Sequence, residues 1–322
     1  MNSTRPISGK ESMPHLKKVI SGAAVFLLVL YFTPLIVEGL RPSTATVRGS
    51  QSGFKTAWSI GHVMAYSEYG AGYPVILVHG FGESMLVWDA AVKALGDAGF
   101  TVYAVDLLGH GMSDKPYGYR YRLESYADQL RDFMEALKIP RAHLVGHSMG
   151  GAVVMKFACM YPPLVNRIAL IGSAGVRHES GGAVFSLLRV PLLGEFLLLF
   201  NFKPVLKKGI HSINFNGMIE IGDEYIDRYS LPAALRGFNY MFLNILRNFS
   251  SPLWSAEDCM EAIKAPALII HGTADRIIPI AAAERMHTRL QNSILVTVPD
   301  GPHGVMETHP GIVNESIHRF LK

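Results

Sequence analysis

The distribution of apolar and charged positions sets the first forty residues apart from the rest of the chain. Residues 1–18 are mostly polar and carry four basic side chains, whereas residues 19–37, "VISGAAVFLLVLYFTPLIV", contain no charged side chain. At about 1.5 Å per residue, a helix over this run is roughly 28 Å long, which matches the hydrocarbon thickness of a bilayer. The pattern therefore predicts an N-terminal helix that spans a membrane.

Beyond about residue 56, short apolar runs alternate with amphipathic stretches. The run "PVILVHG" is continuously apolar between turn residues, as in a strand that is buried on both faces. In "LESYADQLRDFMEALKI", by contrast, Tyr126, Leu130 and Phe133 share one face at helical spacing. Strands that alternate with helices predict an α/β fold with a mostly parallel sheet and right-handed crossovers. The predicted strands lie in "AWSIGHVMAYSEYG" (a pair that turns at Gly61), "PVILVHG", "TVYAVD", "HLVGH", "RIALIG", "ALIIHG" and "SILVTV".

The alternation stops between about residues 176 and 252. This stretch lacks strand signals, and two of its segments, "VFSLLRVPLLGEFLLLF" and "LRGFNYMFLNILRNF", have the composition of apolar helices. We predict a helical cap over residues 176–252, inserted into a core formed by residues 46–175 and 253–322 and preceded by a tail and anchor over residues 1–45. The alternative interpretation is that the inserted helices only enlarge the core around the sheet.

Composition narrows the possible partners. The 322 residues are 49% hydrophobic and 17% charged, which suits a globular chain with a full core. The net charge of +4 is small and dispersed, so it does not point to nucleic acid. Two cysteines, Cys159 and Cys259, are too few for a disulfide framework and match no metal-site spacing, so we interpret both as buried small hydrophobic residues. No pattern in the sequence indicates an oligomeric state.

The flanks of the N-terminal run indicate its orientation. Basic residues before the run favour a cytoplasmic N-terminus, with the rest of the chain exported, although Arg41, Arg48 and Lys55 follow it and weaken the contrast. One alternative is a signal peptide that is cleaved after Ala45 to release a secreted protein. The apolar core of a signal peptide is usually about 7–15 residues, which is shorter than this run. Another alternative is a hydrophobic arm that packs on a partner.

The segment Gly146-His147-Ser148-Met149-Gly150 follows a predicted strand and precedes a predicted helix. A G-x-S-x-G sequence in this setting is typical of a nucleophile elbow, a sharp turn that lifts the serine hydroxyl above the sheet. The turn holds its central residue in a strained conformation, and the glycines leave room for it. The sequence therefore predicts Ser148 as a nucleophile.

A serine nucleophile requires a general base and an acid that orients the base. Asp275 follows the strand "ALIIHG" and His303 follows "SILVTV", so both side chains should lie at the carboxyl edge of the sheet with Ser148. The order Ser, Asp, His is the order found in this kind of fold. We predict that Ser148, Asp275 and His303 form a catalytic triad.

Other polar residues near these positions have less favourable contexts. We interpret Asp300 as a solvated loop residue, His309 as a surface residue inside the last helix, and Asp106 as a carboxylate that orders its loop. His79 should anchor the loop after its strand. His147, beside the serine, is interpreted as structural, with its ring packed away from the base.

A tetrahedral intermediate requires two hydrogen-bond donors for its oxyanion. One predicted donor is the amide of Met149, directly after the serine. The second is the amide of Phe81 in "HGFGES", where Gly80 and Gly82 allow the turn. We therefore predict an oxyanion hole formed by Phe81 and Met149.

Together these segments resemble the α/β-hydrolase family from about residue 50 to residue 322. The resemblance rests on five motifs, one of which departs from the family pattern because Pro302 stands where the family usually has glycine before the histidine. Glu307 and Pro310 keep the family's spacing after His303 and favour it over His309. The motifs are "HGFG", "DLLGHGMSDKP", "GHSMGG", "HGTADRIIP" and "PHGVMETHP".

The resemblance implies a serine hydrolase, since epoxide hydrolases and haloalkane dehalogenases of this family require aspartate where Ser148 stands. The anchor, "GHSMGG" and the apolar cap are similar to those of membrane-anchored monoacylglycerol lipases and related bacterial lipases. The implied substrates are acylglycerols or other apolar esters taken from membrane lipid, and the mechanism requires neither an organic cofactor nor a metal. The alternatives are a carbon–carbon bond hydrolase acting on vinylogous diketones, a cofactor-free haloperoxidase-like activity, and a non-catalytic protein that binds an apolar ligand.

Overall fold

The computed structural model describes residues 13–177, 183–199, 207, 210–211, 215–249, 251 and 254–322. Within these residues, eight strands form one sheet in the order β1-β2-β4-β3-β5-β6-β7-β8. β1 and β2 pair antiparallel, as do β2 and β4, and the remaining neighbours pair parallel. The predicted α/β architecture is confirmed. The strands are β1 (Lys55–Ser59), β2 (His62–Tyr69), β3 (Tyr73–Val78), β4 (Phe100–Val105), β5 (Ala142–His147), β6 (Val165–Ile171), β7 (Ala267–Gly272) and β8 (Ser293–Val298).

Helices cover both faces of the sheet. α4, α5 and α10 pack on one face, where Phe133, Phe157 and Met286 are fully buried. α3 and α12 pack on the other face around Leu95 and Ile317. The helices outside the inserted segment are α1 (Met13–Leu40), α2 (Thr44–Arg48), α3 (Asp89–Asp97), α4 (Leu123–Ala136), α5 (Met149–Met160), α10 (Ile280–Arg289), α11 (Val305–Thr308) and α12 (Pro310–Leu321).

The order of the strands decides which loops meet. After β3, the chain adds β4 on one side of β3 and then crosses to add β5 on the other side. β3 and β5 are therefore neighbours, and the strands that follow them are added in opposite directions along the sheet. In open α/β sheets such a point of reversal leaves a crevice at the carboxyl ends of the strands, where ligands bind. The loops after β3 and β5, which hold the predicted oxyanion and nucleophile residues, therefore lie side by side.

Among the described residues between β6 and β7, the structure forms helices joined by turns and irregular segments, and no strand. The segment contains α6 (Ala183–Leu188), α7 (Leu193–Leu197), α8 (Asp223–Ser230) and α9 (Phe238–Asn248). The two apolar segments expected to be helical lie in α6–α7 and in α9, although Phe200 at the end of the first falls outside the described residues. Arg247 in α9 holds Glu195 in α7 through two hydrogen bonds of 2.7 and 2.8 Å.

The N-terminal helix α1 is longer than its apolar run and bears Pro34 inside it. By length and composition it is able to cross a membrane, with a mean hydropathy of 2.1 over its most apolar window, although a signal sequence passes the same criterion. Its C-terminal end is bonded to the rest of the chain, because Glu38 accepts the hydroxyl of Tyr117 at 2.9 Å and Arg236 donates to Gly39 O at 2.7 Å. Just beyond α1, Arg48 pairs with Asp114 at 2.9 Å.

The interpretation of the two cysteines as unpaired hydrophobic residues is wrong. Cys159 at the end of α5 and Cys259 in the segment before β7 form a disulfide, with Cα atoms 6.1 Å apart. The two cysteines are 100 positions apart, and the chain between them includes the inserted helical segment. The bond therefore ties the helix that follows Ser148 to the point where the chain returns to the sheet.

Removing this bond should destabilise the fold. For a double Cys159→Ala/Cys259→Ala variant, we expect the free energy of unfolding to fall by about 2–4 kcal/mol, because the unfolded chain regains a long unconstrained loop. Chemical denaturation of the wild type with and without a thiol reductant provides the control. A variant as stable as the oxidised wild type would show that the bond adds nothing to stability.

Candidate active site

Ser148 occupies the turn between β5 and α5. Its backbone angles are φ 52° and ψ −119°, in a region that side-chain-bearing residues rarely adopt, and its amide donates to Ile171 O at 3.0 Å. Two glycines make the turn possible, since a Cβ on Gly146 would collide with the backbone of Gly150, and one on Gly150 would collide with Val78. Ser148 is buried apart from 9% of its surface. The predicted elbow geometry is therefore present at this residue.

The structure brings Asp275 and His303 together at the same edge of the sheet. His303 Nδ1 lies 2.8 Å from Asp275 Oδ2, and both side chains are almost fully buried. Asp275 Oδ1 accepts the amides of Ile277 and Ile278 at 2.8 and 2.9 Å. Burial alone raises the pKa of Asp275, but the hydrogen bond and charge of His303 and these two amides outweigh it, so the pKa is lowered. An ionised Asp275 can hold Nδ1 as the N–H, leaving Nε2 to accept a proton.

Ser148 Oγ is not hydrogen-bonded to His303 in the part of the chain that the structure describes. In hydrolases without substrate this contact is often long, and it shortens in the reactive complex. The two residues nevertheless belong to adjoining loops, because the ring of His147, directly before Ser148, lies 4.7 Å from the ring of His303 between centroids.

The loop after β3 lies against the nucleophile. A Cβ placed on Gly80 would be 3.1 Å from the Cβ of Ser148. The amides of Phe81 and Met149, the two predicted oxyanion donors, make no hydrogen bond to any other described residue. Met149 is also the first residue of α5, where the helix dipole favours negative charge. The two amides are therefore available to a ligand.

The interpretation that the ring of His147 packs away from the base is wrong. The ring is fully buried, and its Nε2 lies 3.1 Å from the backbone oxygen of His303. Its Nδ1 lies 3.0 Å from Glu83 Oε2, which also accepts the amide of Gly80 at 2.7 Å. Glu83 stands next to "HGFG", but no sequence pattern pairs it with a residue 64 positions away.

Opposite charges inside this cluster shift both pKa values. Burial alone raises the pKa of Glu83, but the charge of His147 and its hydrogen bond lower it to about 2. Burial alone lowers the pKa of His147, and the charge and hydrogen bond of Glu83 outweigh it, so the pKa is raised.

The remaining polar residues take supporting positions. Asp106 accepts the amides of Met85 and Met112, both at 2.7 Å, and so orders its loop, as its context suggested. His79 anchors its loop through Gly80 O at 2.7 Å, and Asp300 is exposed. His309 precedes α12 instead of lying inside it, so that part of its interpretation is wrong. Among the described residues, no group of three or more His, Cys, Asp or Glu side chains is arranged to hold a metal ion.

Phenylalanines of the inserted segment cover the loop after β3, which carries Phe81. The ring of Phe81 stacks on Phe242 of α9 with centroids 4.6 Å apart, and Phe249 lies 6.3 Å away. Phe238 continues this stack at 5.8 Å from Phe242. The wall above the serine loop is therefore apolar on the side of the inserted helices.

A second carboxyl, that of the half-buried Glu307, joins the inserted segment to the loop of His303. Its Oε1 accepts the hydroxyls of Tyr225 and Tyr229, both in α8, at 2.8 and 3.0 Å. Burial and the charge of Glu83 raise the pKa of Glu307 to about 7, although the two tyrosine hydrogen bonds act in the opposite direction. The spacing of Glu307 from His303 was visible in the sequence, but its tyrosine partners in the inserted segment were not.

Comparisons with known proteins agree with this architecture. A family model described as the α/β-hydrolase fold matches residues 73–192, and one described as TAP-like protein matches residues 250–322. A putative non-heme chloroperoxidase from Synechocystis sp. is 30% identical over 282 residues, covering 80% of this chain and 94% of the relative. The chain belongs to the α/β-hydrolase family.

Other α/β-hydrolases similar to this chain differ in named activity. The 2-hydroxy-6-oxo-2,4-heptadienoate hydrolase of Pseudomonas putida is 29% identical over 237 residues, which cover 71% of this chain and 81% of the relative. The crystal structure of a membrane phospholipase A, described as a bacterial virulence factor, superposes with a TM-score of 0.72 at 25% identity. That match covers 95% of this chain and 97% of the other, a share too large to leave out α1.

The raised pKa of Glu307 predicts a pH-dependent stability. The folded state binds the carboxyl proton of Glu307 more tightly than the unfolded chain does. The contribution of this protonation to the free energy of unfolding is therefore full below pH 4.5 and is lost as the pH rises through about 7. Glu307→Gln keeps the acceptor for the two tyrosines and carries no charge. The wild type should therefore lose about 2–3 kcal/mol of unfolding free energy between pH 5 and pH 8 that Glu307→Gln does not lose, so the difference between them shifts by that amount in favour of the variant.

Denaturant unfolding at the two pH values measures this difference. Glu315→Gln, on the exposed side of α12, is the matched control and should show no such gain. An equal offset for Glu307→Gln at both pH values would contradict a raised pKa.

Proposed function

We propose that this α/β-hydrolase is a serine hydrolase that cleaves carboxylic esters of apolar substrates, such as monoacylglycerols or similar lipid esters, through an acyl-enzyme. The observation that carries the proposal is the convergence at one sheet edge of a strained Ser148, a hydrogen-bonded Asp275–His303 pair and two available amides. Each of these groups has a defined task in acyl transfer.

In the proposed mechanism, Ser148 Oγ attacks the ester carbonyl while His303 Nε2 takes the hydroxyl proton. Asp275 stabilises the imidazolium through Nδ1, and the amides of Phe81 and Met149 donate to the oxyanion. The intermediate collapses as the imidazolium gives its proton to the departing alcohol, which leaves the acyl group on Ser148. Water then attacks with His303 again as base, and the carboxylic acid is released.

The preference for an apolar substrate rests on the surroundings of the oxyanion loop. The rings of Phe242 and Phe249 lie over Phe81, and Leu188 and Leu243 pack with them. We propose that residues 176–252 act as a cap over this pocket. A ligand that displaces water from such a wall gains about 25 cal/mol per Å² of apolar surface buried. The likeness to a membrane phospholipase A supports a lipid ester in particular.

The proposed location is a membrane, with the catalytic domain on the exported side. α1 is long and apolar enough to span the bilayer, and the bonds of Glu38 and Arg48 to the core make the region around it part of the folded domain. The Cys159–Cys259 disulfide favours the exported side, because disulfides persist in oxidising compartments.

A second candidate is carbon–carbon bond hydrolysis of vinylogous diketones. It is favoured by the similarity to a 2-hydroxy-6-oxo-2,4-heptadienoate hydrolase, and it would use the same Ser, His and Asp. Parallel assays with a monoacylglycerol and with a 2-hydroxy-6-oxo-dienoate separate the two. Faster turnover of the dienoate, by kcat/KM, would favour the second candidate.

Substitution of the nucleophile tests the proposed chemistry. Ser148→Ala should lower kcat on a short p-nitrophenyl ester by at least about 10⁴-fold, because no other group can form the acyl-enzyme. Asp275→Asn should lower kcat by about 10⁴-fold, because His303 Nδ1 loses its anionic partner and the imidazole is no longer held in the required tautomer. Ser230→Ala is the matched control, because the hydroxyl of Ser230 donates to Asp227 O within α8 and is not one of the proposed catalytic groups. Wild-type rates in Ser148→Ala would rule out the proposed function.

The exported location makes a separate prediction. With an epitope tag after Lys322, the full-length protein should remain in the membrane fraction after a carbonate wash. Protease added to intact spheroplasts should then remove the tag, because the C-terminus lies outside the cell. Protection of the tag until the spheroplasts are lysed would place the catalytic domain in the cytoplasm, whereas a soluble tagged protein would indicate cleavage of the N-terminal segment.

A further inference from the structure

The ring of His147 faces two hydrogen-bond acceptors. Its Nε2 lies 3.1 Å from the carbonyl oxygen of His303, and its Nδ1 lies 3.0 Å from the carboxylate of Glu83. A carbonyl oxygen only accepts, and an ionised carboxylate only accepts. Both contacts are hydrogen bonds at the same time only if both ring nitrogens carry protons. The pKa of Glu83 is lowered to about 2, so its carboxylate is ionised, and the geometry of the two partners then requires an imidazolium at this fully buried position.

A second buried histidine, His79 at the start of the loop after β3, shows the opposite pattern. His79 Nε2 accepts the amide of Leu107 at 3.1 Å, so this nitrogen carries no proton. Its Nδ1 therefore carries the ring's proton and donates to Gly80 O at 2.7 Å. Two buried histidines on either side of Gly80 thus differ in charge because their partners differ.

Glu83 receives both donors on a single oxygen. Its Oε2 accepts the amide of Gly80 at 2.7 Å and the Nδ1 proton of His147. The first bond fixes the His79–Gly80 peptide. The next peptide, which carries the Phe81 amide, is held where Gly80 O accepts from His79 Nδ1 and from the Glu83 amide. The second bond to Oε2 ties this turn to the residue directly before Ser148. The Nε2 proton of His147 then holds the backbone of His303.

We infer that the partly exposed carboxylate of Glu83 and the fully buried ring of His147 form a carboxylate–imidazolium pair that positions the loop after β3 and the loop of the general base relative to Ser148. The inference rests on the proposed function and adds two positioning residues to it. Neither side chain needs to touch substrate. The pair acts by joining the loops after β3, β5 and β8, which no backbone ladder connects at that point.

The charged groups around His147 identify the side chain whose substitution should change the protonation of its ring. The titratable groups that interact with His147 are the carboxyls of Glu83 and Glu307 and the imidazoles of His79, His271 and His303. Glu83 is the partner in direct contact with a ring nitrogen. A neutral side chain at position 83 should therefore remove one proton from the ring of His147.

Glu83→Gln tests the pair with little change in shape. If the amide oxygen takes the place of Oε2, the uncharged partner no longer supports an imidazolium, and the contact to His303 O is lost. If the NH₂ group takes that place, the bond from Gly80 is lost. One of the three loops is released in either case, and an error of about 1 Å in placing reacting groups costs about 10²-fold in rate.

The kinetic test compares Glu83→Gln and His147→Gln with wild type on a p-nitrophenyl ester. Each variant should lower kcat by about 10²-fold while KM changes less than about threefold, because the acyl-binding wall is untouched. The affinity for a trifluoromethyl ketone, which mimics the oxyanion, should weaken in proportion to kcat/KM. Since the pair acts as a unit, the double variant should be no worse than the poorer single variant.

His143→Gln is the matched control. His143 is buried near the opposite end of the same strand, β5, so its substitution should leave kcat and inhibitor affinity unchanged.

Nitrogen-15 NMR of histidine-labelled full-length protein in detergent reads the protonation state of His147 directly. At pH 6.5, both ring nitrogens of His147 should carry protons in wild type and in Ser148→Ala, and one should lose its proton in Glu83→Gln.

The two readouts separate this inference from the proposed function. A neutral His147 ring in wild type, or full kcat in folded Glu83→Gln and His147→Gln, would overturn the pair while leaving the serine mechanism intact. Activity that survives in Ser148→Ala would instead remove the proposed function, whatever the charge of His147.

Discussion

The backbone of Ser148 is held at a positive φ that a serine adopts only under constraint. A strain of this kind costs about 1–3 kcal/mol, and it persists because the surrounding strands and α5 fix both sides of the turn. Gly146 and Gly150 make that fit possible, since their backbones touch where any side chain would collide. The turn lifts the hydroxyl out of the sheet at the first residues of a helix, and the position of every other candidate group is defined relative to it.

The order of the strands supplies those other groups. β3 and β5 are neighbours, so the loop that carries Phe81 lies beside Ser148, and β7 and β8 end at the same edge with Asp275 and His303. The inserted helices then reach this edge through two kinds of contact. Aromatic rings cover Phe81, and two tyrosine hydroxyls hold Glu307. The inserted helices thereby add an apolar wall to the family scaffold, and Arg236 and Gly237 of the same segment bond the C-terminal end of α1.

Much of this arrangement could be predicted from the sequence because it is written in local patterns. Apolar runs predict the strands, and polar residues in the loops after three of them identify Ser148, Asp275 and His303, which the topology brings to one edge. Contacts between distant residues were not predictable in this way. Nothing in the local pattern pairs Glu83 with His147, Cys159 with Cys259, or Glu307 with Tyr225, because each pair depends on how separate loops pack. The orientation of the His147 ring was misjudged for the same reason.

The central claim is that the hydroxyl of Ser148 is the group that becomes acylated. The most direct measurement is mass spectrometry of the full-length protein after reaction with a fluorophosphonate, followed by peptide mapping of the adduct. The account predicts one phosphonate per chain, attached to the peptide that contains Ser148, and a strongly reduced rate of labelling in His303→Ala. An adduct on another residue, or an active protein that resists the reagent, would contradict it.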